Sequence, residues 1–152
     1  MRCCVLTPDR GRVYDEFVDS VEVHTTAGRL EIFHRFEPTI APLRIGVAKA
    51  KGNDGSVAAL AIHGGYMNMN GKVLLILADS AELGDEINLE RAQKALDRAR
   101  ELLAKVTSDH ADSVEIDIDR AKLAITRALT RLNIAREAPY PNHDRTRDRE
   151  VF

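Results

Sequence analysis

A chain of 152 residues holds one domain of ordinary size, or a small domain with an appendage. Its formal charge of -2 excludes a general nucleic-acid binder, and no apolar run nears the roughly 20 residues needed to span a bilayer. Hydrophobic residues make up 44% but aromatics only 5%, with no Trp, so the expected core is aliphatic. The opening MRCCVLTPDR lacks the h-region and cleavage site of a signal peptide, and a cytosolic address is expected.

The cysteines, Cys3 and Cys4, are adjacent. Neighbours on a strand point to opposite faces, so one is expected to be buried and the other not. A disulfide between them would be strained, and a metal site would lack further thiolates, so both are read as reduced structural thiols. The first strand, CCVLT, ends at Pro8. SVEVHT alternates Val21 and Val23 with Glu22 and His24, and GRLEIFH alternates Leu30 and Ile32 with Arg29 and Glu31. Both patterns describe half-buried strands. IGVAKA runs into the turn KGNDGS, and VAALAIHGGYMNMNG leads into KVLLILAD. Asn53, Asp54 and Gly55 form one hairpin signal, and Asn70 with Gly71 another. Gly64 and Gly65 fall between two strands, where a bulge or sharp bend is expected rather than a phosphate cradle.

Near residue 82 the composition changes. No Gly follows Gly84, and Ala, Leu, Arg, Glu and Lys dominate. Ile87, Ala92, Ala95, Leu96, Ala99, Leu102, Leu103 and Val106 fall near helical spacing, and Asn88 is a good N-cap, which predicts a helix over about 89–106. TSDHADS interrupts the pattern. Asp117 is the expected cap of a second helix whose apolar face is Ala121, Ala124, Ile125, Ala128, Leu129 and Leu132. A short polar loop between two amphipathic helices predicts an antiparallel hairpin, and its Ala-rich stripes predict a weak one that opens. The fold class is thus β plus α: a β-sandwich over 1–84, an antiparallel two-helix hairpin over 85–137, and a frayed polar tail over 138–152.

The two helical segments repeat one another. EINLERAQKALDRARELL, residues 86–103, is echoed by EIDIDRAKLAITRALTRL, residues 115–132, with Glu, Ile, Arg and Ala recurring in phase. Catalytic constellations are sparse by comparison. His24, His34, His63, His110 and His143 are scattered and read as isolated polar or surface residues. No Gly-x-Ser-x-Gly and no Gly-rich Lys-Ser/Thr loop is present. Arg91 and Arg98, two helical turns apart, share a face at about 10.5 Å. Arg127 and Arg131 lie one turn apart on the second helix, so guanidinium groups from both helices have the spacing to converge on a phosphate-bearing ligand. The competing explanation is structural, because Arg forms helices well and lies along apolar stripes.

GGYMNMNGKVLLILADSAE, followed by EINLERA and EIDIDRAKLAITRALTRL, resembles the epsilon subunit of F-type ATP synthase. VLTPDRGRVYDEFVDSVEV is similar to that family's first hairpin, and the likeness covers about residues 3–136. The resemblance implies a non-catalytic central-stalk rotor subunit. Its sandwich would grip the gamma subunit and rest on the ring of c subunits, coupling proton-driven rotation to the stalk. Its hairpin would either fold on the sandwich or extend toward the alpha and beta subunits and restrain ATP hydrolysis. No cofactor is required; ATP is implied as a regulatory ligand of the folded hairpin, at Glu82, Ile87, Asn88, Arg91, Ala92, Arg98 and Arg127. Contacts with the catalytic head fall to Arg120, Lys122, Arg127 and Arg131, with Arg136 on the same positive side. The implied location is peripheral, on the cytoplasmic side of the inner (plasma) membrane.

Two departures from the family pattern stand out. Asn88 replaces an Asp, which preserves the helix cap but removes a carboxylate from the ligand site. In GRLEIFHRFEP, residues 28–38, Arg29 replaces an acidic residue, Arg35 stands at a Gly and Phe36 at a His. Arg29, Glu31, Arg35 and Phe36 are the expected c-ring contacts, so the matching c-subunit loop is expected to be less basic than usual. The alternative is a stand-alone nucleotide-sensing module of the same fold, released from the ring.

Overall fold

The computed structural model describes residues 1–108 and 114–137. Ten strands come first: β1 (Arg2–Thr7), β2 (Gly11–Phe17), β3 (Ser20–Thr25), β4 (Gly28–Phe33), β5 (Thr39–Pro42), β6 (Ile45–Lys51), β7 (Val57–His63), β8 (Tyr66–Met69), β9 (Val73–Leu77) and β10 (Ala81–Leu83). A 3-10 turn, Gly84–Glu86, leads into α1 (Leu89–Ser108), and α2 (Val114–Glu137) follows. The strands form two five-stranded sheets, ordered β2-β1-β9-β8-β5 and β10-β7-β6-β3-β4. β1 and β9 pair in parallel; every other pairing is antiparallel.

Alternation assigns the inner faces. Cys3 and Val5 on β1, Val21 and Val23 on β3, Met67 and Met69 on β8, and Leu74 and Ile76 on β9 are all buried in one aliphatic core. The expected split of the cysteines holds: Cys3 is inside, and Cys4 is half-exposed on the opposite face. Both turn signals also form. Asp54 accepts the Ser56 backbone N–H through Oδ1 at 2.9 Å, and Asn70 Oδ1 accepts those of Lys72 and Val73 at 3.0 and 2.9 Å. At the bend between β7 and β8, Gly65 has φ +104, and a Cβ there would lie 2.1 Å from the Leu77 carbonyl oxygen. Only Gly fits that approach.

The helical part begins on the expected cap, where Asn88 Oδ1 accepts the Arg91 backbone N–H at 2.9 Å. α1 runs to Ser108, slightly past the expected end. α2 begins at Val114, before the expected cap at Asp117, because Val114-Glu115-Ile116 contains no Gly or Pro to stop the helix. Ala92, Leu96, Ala128 and Leu132 pack between the helices. The expected polar tail, 138–152, lies outside the described residues.

α2 has a second buried face that the sequence reading missed. Ile134, 1% exposed, packs on Ala59, Ala61 and Val47 of the sandwich. Ile134 stands about 200° around the helix from Leu132, so it cannot share the stripe that meets α1. Leu129, expected on the apolar face, is instead exposed. Ile87 packs in both clusters, the hairpin core and the contact with the sandwich. β7 is consequently buried on both sides: Ala58, Leu60 and Ile62 face the sandwich core, and Ala59 and Ala61 face the helix.

Candidate functional site: an arginine-lined cleft and a bare sheet face

A cleft of about 770 Å³ opens where α1 meets the sandwich. The β1–β2 turn supplies Asp9 and Arg10, β10 supplies Glu82, and the first turns of α1 supply Asn88, Arg91, Ala92, Lys94 and Arg98. Ile87 lines its floor, and α2 adds Arg131. Six of the seven residues expected at the ligand site, all except Arg127, therefore line one cavity. The second-helix arginine in the cleft is Arg131, which the spacing turns toward the ligand and the resemblance toward the catalytic head. Arg127 is exposed and does not line the cleft. The two lie one turn apart, so the sequence fixes their side of the helix; Glu82 selects the turn.

The charges inside are partly matched. Arg131 donates through Nε to Glu82 Oε1 at 2.9 Å, and its terminal nitrogen reaches the same oxygen. Arg10 pairs with Glu86 at 2.8 Å, and Lys94 with Glu90 at 2.6 Å. Arg98 spends its Nε on the Lys94 carbonyl at 3.2 Å, which leaves its terminal nitrogens for the cleft. Neither Arg91 nor Arg98 forms an ion pair among the described residues. Two unpaired guanidinium groups on one helix face offer forked donors suited to phosphate oxygens. Among the described residues no cluster of His, Cys, Asp or Glu is arranged to hold a metal ion.

The residues expected at the c-ring separate into three places. Arg29 and Glu31 project from the outer face of edge strand β4, where Arg29 approaches Glu22 at 3.8 Å and Glu31 accepts Lys51 at 3.2 Å and Ser20 at 3.0 Å. The Lys51 and Ser20 bonds hold the Glu31 carboxyl below its ordinary range. Arg35 is exposed at the turn after β4, with φ +64. Phe36, an expected c-ring contact, is half-buried, its ring packed against the sandwich core. Arg120 and Lys122 are exposed on α2.

The opposite sheet carries an exposed apolar face that sequence reading did not single out. Leu6, Leu77, Tyr66 and Pro42 stand in register across β1, β9, β8 and β5, and Cys4, Leu75, Asn68 and Ile40 form the next row. Ile40 is 72% exposed, Tyr66 60% and Leu77 50%. Contiguous exposed apolar residues on one face are uncommon on a chain that has no contact to make there. Alternation along KVLLILAD held the signal, but it does not say which of two apolar faces is inside.

Fold and cleft together define a two-part protein, a β-sandwich with a helical hairpin docked on one sheet. Residues 1–84 match the family model of the ATP synthase delta/epsilon chain β-sandwich domain, and residues 85–136 match that of its long α-helix domain. The chain is 39% identical over 136 residues to the ATP synthase epsilon chain of Lacticaseibacillus casei, covering 88% of this chain and 92% of that one. It is 40% identical over 132 residues to the epsilon chain of Bacillus licheniformis, covering 87% and 95%. A chain of the Euglena gracilis mitochondrial ATP synthase has the same fold, with a TM-score of 0.66 at 24% identity over 84% of this chain and 77% of that one. The chain belongs to the ATP synthase delta/epsilon chain family. It is an accessory subunit and not itself catalytic.

Proposed function

We propose that this chain is a central-stalk rotor subunit that couples the rotation of a c-ring to a gamma subunit and restrains ATP hydrolysis through its helices. The bare apolar face of the β2-β1-β9-β8-β5 sheet carries the reading. The hairpin packs on β6 and β7 of the other sheet, whose remaining outer face is charged, so this is the exposed apolar face left to hold a partner. Tyr66, Leu77 and Ile40 are the central contacts for gamma, whose binding would remove their apolar surface from water. The turn carrying Arg29, Glu31 and Arg35 would meet the c-ring. The complex would sit peripherally on the cytoplasmic side of the membrane; no described helix is long and apolar enough to cross one.

In this reading the docked hairpin is the permissive state. Arg131 is engaged with Glu82 while docked, so its use on the alpha and beta subunits requires the hairpin to leave the sandwich. Arg120, Lys122 and Arg127 are exposed already. Co-purification with the cognate gamma subunit tests the rotor role. Stable capture that is lost in Tyr66→Asp is expected, and no capture by the native chain would sink it.

A second reading, of a nucleotide-sensing hairpin, is favoured by the unpaired Arg91 and Arg98 in the cleft. ATP would bind there with its phosphates on these two arginines and hold α1 and α2 against the sandwich. Calorimetric titration is expected to give binding that Arg98→Ala abolishes.

A further inference from the structure

We propose that His63 is a proton-sensitive latch beneath α2, and that charging its ring releases the helical hairpin from the sandwich. The inference goes beyond the rotor role and starts from the docked geometry.

His63 ends β7 on the strand whose other outward residues, Ala59 and Ala61, support Ile134. It is 3% exposed, and neither Nδ1 nor Nε2 has a hydrogen-bond partner. Its main chain is fixed, with the backbone N–H donating to the Ser80 carbonyl at 2.9 Å. The ring is thus a polar group enclosed at an interface without compensation, tolerable while neutral and far costlier when charged.

The surrounding charges point the same way. α2 brings Arg131 and Arg127, both of which oppose a proton on the ring. β10 brings Glu82, which favours one, but its Oε1 already accepts both Arg131 donors. β6 places the uncharged Ile45 in register with His63. An imidazolium here either shares the Glu82 carboxylate through its second oxygen, crowding a third positive charge against Arg131 and Arg127, or stays unpaired itself. Both outcomes weaken the contact between α2 and the sandwich. Undocking opens the ring to water at little cost to the sandwich core, which lies on the other side of β7.

Burial first, and Arg131 next, push the His63 ring down to about 4 from its ordinary value of 6.5. Its folded value is depressed, so the docked state binds the proton more weakly than the undocked one. Docking is therefore strongest above about pH 6.5 and weakens progressively as pH falls toward 4. For that interval, linkage gives a docking constant about thirtyfold smaller at pH 5 than at pH 8.

Methyl NMR on the full chain reads this directly, through the Ala59–Ile134 and Ala61–Ile134 contacts. In the native chain they are expected to weaken as the undocked-to-docked ratio rises about thirtyfold between pH 8 and pH 5, while the core methyls of Ile32 and Leu74 are unchanged. His63→Leu, and independently His63→Gln, are expected to keep them. A His63 ring that titrates near 6.5 with the hairpin still docked would overturn the proposal, as would equal loss of docking in both variants. Gamma capture is measured separately, so failure of the latch and failure of the rotor reading are distinguishable.

Discussion

Arg131 on α2 and Glu82 on β10 are joined by two donors on a single carboxylate oxygen, across 49 positions of sequence. Each side chain is 26% exposed, which places the pair between the negligible surface case and the costly buried one. Arg131→Ala is expected to weaken hairpin docking by roughly 1–2 kcal/mol. Amide hydrogen exchange should then accelerate across α2 and stay unchanged in β3 and β8. Unchanged exchange in α2 would mean that Ile134 and Ile87 alone hold the hairpin.

Cys4 is a built-in reporter for the bare sheet face. It stands in register between Asp15 and Leu75, half-exposed, whereas burial pushes the Cys3 thiol up to about 12. Maleimide is expected to modify Cys4 slowly in the native chain and Cys3 only after denaturation. Bound gamma subunit should protect Cys4. Undiminished labelling in a gamma complex would place gamma elsewhere.

Two backbone positions have opposite signs. Gly65→Ala drives a Cβ into the Leu77 backbone at an already positive φ and is expected to cost about 2–4 kcal/mol, read as a fall in the denaturation midpoint. Arg35→Gly relieves a left-handed residue and is expected to stabilise by about 0.5–1 kcal/mol. If both lower the midpoint equally, backbone conformation is not what these positions control.

At Asn88, cap and ligand separate cleanly. Asn88→Ala removes the acceptor for the Arg91 N–H and should cost about 1 kcal/mol of helix stability. Asn88→Asp keeps the cap, and at a nucleotide site that uses the carboxylate it should tighten ATP binding about tenfold. Titration heats identical to those of the native chain would remove position 88 from ligand contact.

Much of the sandwich was legible because SVEVHT and GRLEIFH alternate, and alternation fixes which side of a strand is wet. VAALAIH carries no such alternation. Its continuous apolar run belongs to a strand covered on both faces, and the second cover, Ile134, is far away in sequence. His63 read as an isolated histidine for the same reason: nothing nearby in the chain encloses it. The α1 side of the cleft followed from the helical phase of Arg91 and Arg98 and, for Asn88, from the family resemblance. The α2 side did not, since helical phase gives an arginine's direction but not its height along the axis. Spacing turned both Arg127 and Arg131 toward the ligand, and only Arg131 lines the cleft.

The sandwich surface beneath Ile134 is built largely from Ala59 and Ala61, whose methyl groups expose little area when uncovered. A Leu or Phe floor would hold the hairpin more tightly, but each release would bare a sticky strand face beside other copies of the complex. With alanine, the parted surfaces gain little from sticking to strangers. The hairpin can therefore return to its own seat, and a contact that looks weak in a single snapshot is suited to many cycles of use.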